Sequence, residues 1–232
     1  MAVESTYWSG LNVTPWGAYL DHIEAKTLDV GMGFAQGPMA LDFGCGDGRW
    51  STVLHDHDFC VTGIDADAHA VDVCRKRLPN DSFICTPPDS ERLYFPDATH
   101  DLVNCIEVHG VVHEPWFIAE CARILNPNGL VVMTVLNRSS WRRYAWEISK
   151  RRRGETVGGE AAMYHLSYAA LRAAWSVEGF TPLYECGLAW APFSRTSRSK
   201  MVGPFVRLET ALSLDRWVTA SPWVAVVMGR NA

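Results

Sequence analysis

The segment Met39-Ala-Leu-Asp-Phe-Gly-Cys-Gly-Asp-Gly-Arg-Trp-Ser51 constrains this chain more than any other. An apolar strand pattern runs straight into Gly44, Gly46 and Gly48, and a helix pattern begins at once behind them. Glycine permits a sharp turn and removes Cβ atoms, so a small molecule can lie against main-chain N–H groups at the strand end. A turn alone would need fewer glycines. A dinucleotide loop places its third glycine five residues after the first, where a pyrophosphate meets the helix. That position is Arg49 here, and the GxGxG spacing weakens a nucleotide-phosphate reading.

From Gly37 onward, short apolar runs alternate with helix-length stretches, the pattern of an α/β fold with a parallel sheet covered by helices on both faces. Strands are expected at 39–43, 60–64, 82–85, 101–106 and 130–136, each rich in Val, Ile, Leu, Phe or Cys. Asp65 or Asp67 can cap a helix reaching Leu78, before Pro79. Pro115 suits the first turn of another reaching Leu125, which Asn126, Pro127 and Gly129 stop. After Leu136 come a Trp- and Arg-rich stretch, the segment Gly154-Glu-Thr-Val-Gly-Gly-Glu160, and a helix expected over 168–178 and closed by Gly179. Two further strands are expected at 181–188 and 223–228, with a helix near 206–217 between them.

Composition narrows the class further. With 232 residues, 48% of them hydrophobic, and a net charge of −5, one ordinary domain can form its core without disulfides or a structural metal. The run from Leu130 to Met133, broken by Thr134, is far short of the roughly 20 residues that span a bilayer. The start, Met1-Ala-Val-Glu-Ser-Thr, carries an acid where a secretory signal carries positive charge, so a cytoplasmic protein is expected. Seven cysteines in no metal-binding spacing suit reduced, buried thiols, and no metal is expected. Residues 1–137 hold 7 basic and 19 acidic side chains, whereas 138–232 hold 14 and 7. The C-terminal part is therefore where an anionic substrate or surface would be sought, and the overall acidity argues against nucleic-acid binding.

Twenty-one residues after Gly44, the second expected strand ends in Asp65, at the switch-point side of the sheet. A carboxylate there can accept both hydroxyls of a ribose, or it can merely cap the next helix.

These residues resemble the class I S-adenosylmethionine-dependent methyltransferases, small-molecule type, in the pattern strand, D-x-G-x-G-x-G, acidic residue at the second strand's end. The resemblance continues through Asp89-Ser90-Glu91-Arg92-Leu93-Tyr94-Phe95-Pro96-Asp97, similar to the family's "LPFPD" stretch, and Asp101-Leu-Val-Asn-Cys-Ile-Glu-Val108. It ends at Ala122-Arg-Ile-Leu-Asn-Pro-Asn-Gly129, similar to "RxLKPGG". It implies a Rossmann-like, mostly parallel seven-stranded sheet with a reversed final strand, and S-adenosyl-L-methionine as cofactor. It also implies that Asp42 and the backbone of Gly44, Cys45 and Gly46 face the methionine portion, and Asp65 the ribose. Ala66 would lie along the adenine, Asp89 would accept from its amino group, and the Ser90 N–H would meet a ring nitrogen. Backbone around Asn104, Cys105 and Ile106 would flank the sulfonium. Asn128, standing for the first of the family's two glycines, tolerates the left-handed turn.

On that basis the chain reads as a single domain over 1–232: a helical N-terminal segment (1–36), a cofactor-binding core (37–136), and inserts at 137–167 and 189–222 forming a lid over the substrate. Methyl transfer from a sulfonium is an in-line displacement, so the enzyme has chiefly to align the acceptor and exclude water. A hydroxyl or protonated amine acceptor is helped by a base. His109, just past the fourth strand, suits that role near its ordinary pKa, with Glu107 orienting it, or it packs in the following loop. His113 reads as a surface-loop residue. The polar-Pro-Pro-aromatic motif that grips a flipped DNA base is absent after that strand.

Trp141, Tyr144, Ala145 and Ile148 fall on one face of a helix whose other positions are largely Arg and Lys. Two readings stand. The aromatic stripe packs on the domain with a solvated basic face, or Trp141, Tyr144 and His165 line an apolar acceptor pocket rimmed by cations, with peripheral contact to an anionic membrane surface open. The expected function is methylation of a small hydrophobic, aromatic or lipid-like metabolite in small-molecule biosynthesis, at O or N, with carbon left open. The alternatives are an NAD(P)-dependent oxidoreductase and a non-catalytic cofactor-binding interaction module. Oligomeric state is not legible.

Overall fold

A computed structural model describes residues 13–154 and 164–231. The elements run α1 (Pro15–Phe34), β1 (Met39–Phe43), α2 (Arg49–Asp56), β2 (Cys60–Asp65), α3 (Ala68–Arg77), β3 (Ser82–Cys85) and β4 (His100–Cys105). They continue with α4 (Pro115–Ile124), β5 (Leu125–Leu136), α5 (Trp141–Arg152), α6 (Tyr168–Val177), β6 (Phe180–Leu188), α7 (Val202–Ala211), a 3-10 turn at Leu214–Arg216, and β7 (Trp223–Arg230). Most of the segment 154–160 and the first twelve residues lie outside the described residues.

The seven strands form one sheet in the order β3-β2-β1-β4-β5-β7-β6. β1 through β5 pair in parallel, and β7 runs antiparallel to both neighbours. The fold is thus Rossmann-like α/β with a reversed last strand. Side chains alternate along β5: Val131, Met133 and Val135 face a core with Phe117, Tyr168 and Trp175 from α4 and α6, while Leu130 and Val132 face one with Leu28, Trp50 and Leu54 from α1 and α2. Both faces are buried, which is why these strands read as continuous apolar runs.

β5 begins at Leu125, earlier than its apolar run suggests, because Leu125 pairs with His100 before the register shifts to Leu102 opposite Leu130. Within that irregularity Asn128 has φ 64°, the left-handed geometry expected of it. Helix ends follow local chemistry. The Thr14 side chain accepts from Gly17 N–H before Pro15-led α1, and Gly179, φ 82°, follows the C-cap of α6. The helix expected over 206–217 is α7 plus the 3-10 turn, starting four residues earlier. All seven cysteines are free, but Cys60 and Cys85 are exposed rather than buried.

Chain order reverses between β1 and β4: β1 leads outward to β2 and β3, and the chain then returns to place β4 on its other side. The C-terminal ends of these two strands flank the crevice where ligands of open α/β sheets bind.

Candidate functional site

At the end of β1 the chain turns through Gly44, Gly46 and Gly48, with φ of 71°, 52° and 83°. Gly44 is required twice over, by this left-handed backbone and by packing, since a Cβ there would stand 2.4 Å from Val108 Cγ2. The main-chain N–H groups are not left for a ligand, as the sequence suggested. Gly44 and Cys45 both donate to the Ile64 carbonyl (2.8 and 3.0 Å), and Gly46 donates to Asp65 Oδ2 (2.8 Å). The glycines therefore offer bare backbone surface rather than free donors.

Asp65 is held at both oxygens: Oδ2 by Gly46 N–H and Oδ1 by Asp67 N–H at 2.9 Å. Capping of α3 falls instead to Asp67, whose side chain accepts from the His69 and Ala70 N–H groups. A carboxylate has about four lone-pair sites, so two remain for outside hydroxyls. Ala66 beside it is exposed.

Asp42 does not reach the cleft. It is 1% exposed, accepts from Ser51 Oγ at 2.5 Å and from Asn104 Nδ2 at 2.8 Å, and so clamps α2 and β4 to β1; burial pushes its carboxyl pKa up. Cys45 lies against Cys74, Sγ to Sγ 4.0 Å, and that contact together with burial raises its thiol pKa, as burial does for the fully enclosed Cys105. Only backbone from Cys105 could serve a ligand. The Ser90 N–H, expected to meet adenine, is committed to the Pro87 carbonyl at 3.1 Å. Pro88 and Asp89 form the middle of that four-residue turn, and Asp89 is exposed; two consecutive prolines, lacking N–H groups and fixed in φ, impose it.

A shallow cleft opens between the glycine loop and the segment after β4, lined by Gly44, Cys45, Gly46, Arg49, Ile106 and Val108 among others. Its rim carries an ion network that sequence reasoning missed. Arg49 Nη1 meets Asp21 at 2.9 Å and Nη2 meets Glu24 at 2.8 Å, both acids on α1. Arg195, from the insert after β6, lies 3.6 Å from Glu24 and contacts Glu107. Burial lowers the pKa of Arg195, opposed by Glu24. Glu107, at φ 65°, thus turns to Arg195 and is not the partner of His109.

His109 is held edge-on to Trp223, ring centroids 5.4 Å apart. Burial drives its pKa from 6.5 down to about 4, partly opposed by the charge of Glu24 and by a hydrogen bond to the Thr134 backbone. Its Nδ1 is enclosed and has no hydrogen-bond partner. Tyr164, also unassigned from sequence, bonds to Trp223 and lies near Arg142, with burial raising its phenol pKa. His113 is not a surface residue: its side chain is 7% exposed, and the His165 ring stacks on it at 3.9 Å. Trp141 and Tyr144 are exposed, at 39% and 53%, and neither they nor His165 and His109 are among the residues that line the cleft.

Residues 41–133 match the family described as "Methyltransferase domain". The ubiquinone biosynthesis O-methyltransferase of Coxiella burnetii is 30% identical over 109 residues, which cover 45% of this chain and 46% of that protein. The phthiotriol/phenolphthiotriol dimycocerosates methyltransferase of Mycobacterium tuberculosis is 33% identical over 115 residues, 47% of this chain and 40% of that protein. The chain thus matches about half the length of these curated relatives or less. In fold, it is similar to an S-adenosylmethionine-dependent methyltransferase of Mesorhizobium loti, with a TM-score of 0.59 over 88% of this chain and 96% of that one, at 18% identity.

Proposed function

We propose that the chain is a class I S-adenosylmethionine-dependent methyltransferase, as the match over residues 41–133 supports, and that it methylates an oxygen of a small apolar acceptor, aromatic or lipid-like. The observation that carries the cofactor assignment is Asp65: fixed through both oxygens at the switch point and relieved of capping by Asp67, it keeps two acceptor sites for vicinal hydroxyls. The bare surface of Gly44, which a Cβ could not share with Val108, suits the methionine end of such a cofactor. When bound, the cofactor supplies an electrophilic methyl group on a sulfonium.

Oxygen is favoured by His109. An unpartnered, enclosed Nδ1 is an acceptor waiting for a proton. With a pKa of about 4, the ring is neutral at pH 7 and is a weaker base than an exposed histidine. It can accept a hydrogen bond from an acceptor hydroxyl and take the proton once that oxygen is alkylated, when the proton is strongly acidic. Trp223 and Tyr164 would form the apolar wall beside it. Two relatives whose names contain a quinone and a dimycocerosate support an apolar acceptor.

The test is incubation with methyl-labelled S-adenosylmethionine and a panel of phenols, quinols and long-chain alcohols, reading label in the organic phase and release of S-adenosylhomocysteine. Label in a phenolic or alcoholic product is expected. Tight S-adenosylhomocysteine binding with no turnover across the panel would leave a cofactor-binding module instead, and absence of binding would overturn the cofactor assignment.

A further inference from the structure

Helix α5 is mounted inside out. Its rotation is fixed by Arg142, which donates through Nη1 to the carbonyls of Ala189 (3.1 Å) and Ala191 (2.8 Å) and through Nη2 to that of Phe193 (2.7 Å). Arg143 and Glu147, paired at 2.5 Å, are 20% and 15% exposed and lie on the sheltered side. The apolar stripe consequently points away from the protein: Trp141, Tyr144 and Ile148 are 39%, 53% and 53% exposed, and no residue of the helix is buried. Positions three and four apart share a face, so these three side chains form one strip. Beyond it lie the exposed cations Arg151, Arg152 and Arg153, while Lys150 sits over the half-sheltered Trp146 ring, 5.4 Å from its centroid.

Cations in a last turn are favoured by the helix dipole, which explains their presence but not an outward aromatic strip. We propose that this face of α5 docks on an anionic phospholipid bilayer, with the strip at the boundary of headgroups and acyl chains and the cations among the headgroups. A second copy fits less well. The helix carries five cations and one acid, and that acid, Glu147, is sheltered in its pair with Arg143, so the outward face of a second copy offers no carboxylate to Arg151 and Arg152. The remainder of the chain orients the docking. At a net charge of −5 overall, the rest of the molecule is repelled by a negative surface to which α5 is drawn. α5 follows the C-terminal end of β5, on the sheet edge where the cleft opens, so docking would present the site to molecules dissolved in the bilayer.

The inference goes beyond the methyl-transfer reading, and its test needs neither turnover nor acceptor. The full chain is mixed with vesicles of phosphatidylcholine alone or with added phosphatidylglycerol, and bound protein is recovered by flotation at low and high salt. Binding is expected on the anionic vesicles, at least roughly tenfold tighter than on neutral ones, weakening with salt. Arg151→Gln with Arg152→Gln should cost about fivefold per cation, and Ile148→Glu roughly tenfold or more. All variants should keep the wild-type melting temperature and S-adenosylhomocysteine affinity by calorimetry. Equal recovery on neutral and anionic vesicles, or unchanged binding by Ile148→Glu, overturns the proposal. So does a wild-type dimer, seen by light scattering, that ignores vesicles and that Ile148→Glu makes monomeric.

Discussion

A histidine that stays neutral to about pH 4 makes the native state acid-sensitive in a definite window. In the unfolded chain His109 takes up its proton as the pH falls through about 6.5, while the folded chain refuses it until about 4. Between those values the unfolded state binds more protons, so stability rises with pH and is lost on acidification. Above pH 6.5 the residue has no effect. The shift, from 6.5 to about 4, corresponds to about 3 kcal/mol at the acid end, a large part of a typical domain's 5–15 kcal/mol. His100 and His113, both also lowered chiefly by burial, act with the same sign, so the contribution of His109 is isolated as a difference. Urea unfolding of wild type and His109→Gln should run parallel above about pH 6.5. The wild type should then lose stability faster by about 1.4 kcal/mol per pH unit down to about pH 4. Parallel curves across the whole range would refute the buried, neutral ring, and with it the argument that Nδ1 is held ready as an acceptor.

Two further substitutions probe the cofactor end. Asp65→Ala removes an ionic acceptor from two hydroxyls, each such bond contributing about 1.5–3 kcal/mol, so S-adenosylhomocysteine affinity should fall by about a hundredfold or more. Calorimetry showing wild-type affinity would remove Asp65 from the site. Gly44→Ala places a Cβ at φ 71° and 2.4 Å from Val108 Cγ2, which should cost about 1–3 kcal/mol and push Val108 into the cleft, weakening the same ligand. Gly110→Ala, with nothing within 4 Å of its Cβ, is the control, and equal affinity for the two variants would count against close backbone approach at Gly44.

Most of the sheet was legible because buried strands and glycine turns write locally. β1 and β3 occupy the residues their apolar runs mark, and the tight turn after β1 follows from its glycines. What was not legible is which of several possible partners a group takes, near in the chain or far from it. Of the two aspartates that could cap α3, Asp67 takes the cap and Asp65 does not. The rotation of α5 could not be read from its own periodicity, because a stripe has two possible directions and Arg142 chooses between them by bonding to carbonyls about fifty residues further along. The Ser90 N–H was lost to a turn that its preceding prolines already implied.

Arg49 shows most clearly how a local departure gains meaning from a distant contact. In sequence it only breaks the dinucleotide spacing. In the fold its guanidinium stacks 3.9 Å over Trp50 and reaches Asp21 and Glu24, binding α1 across the entrance of the cleft. Glu24, wholly buried, then faces Arg195 from an insert about 170 residues away, and Arg195 holds Glu107 at the end of the segment that carries His109. Charges buried in this way destabilise strongly when one partner is removed, so their arrangement is tied to a single relative placement of helix, glycine loop and insert. The same acid that completes the network raises the pKa of His109 against the effect of burial. The glycine loop and the candidate proton acceptor are therefore linked through Glu24, a residue on neither strand of the switch point.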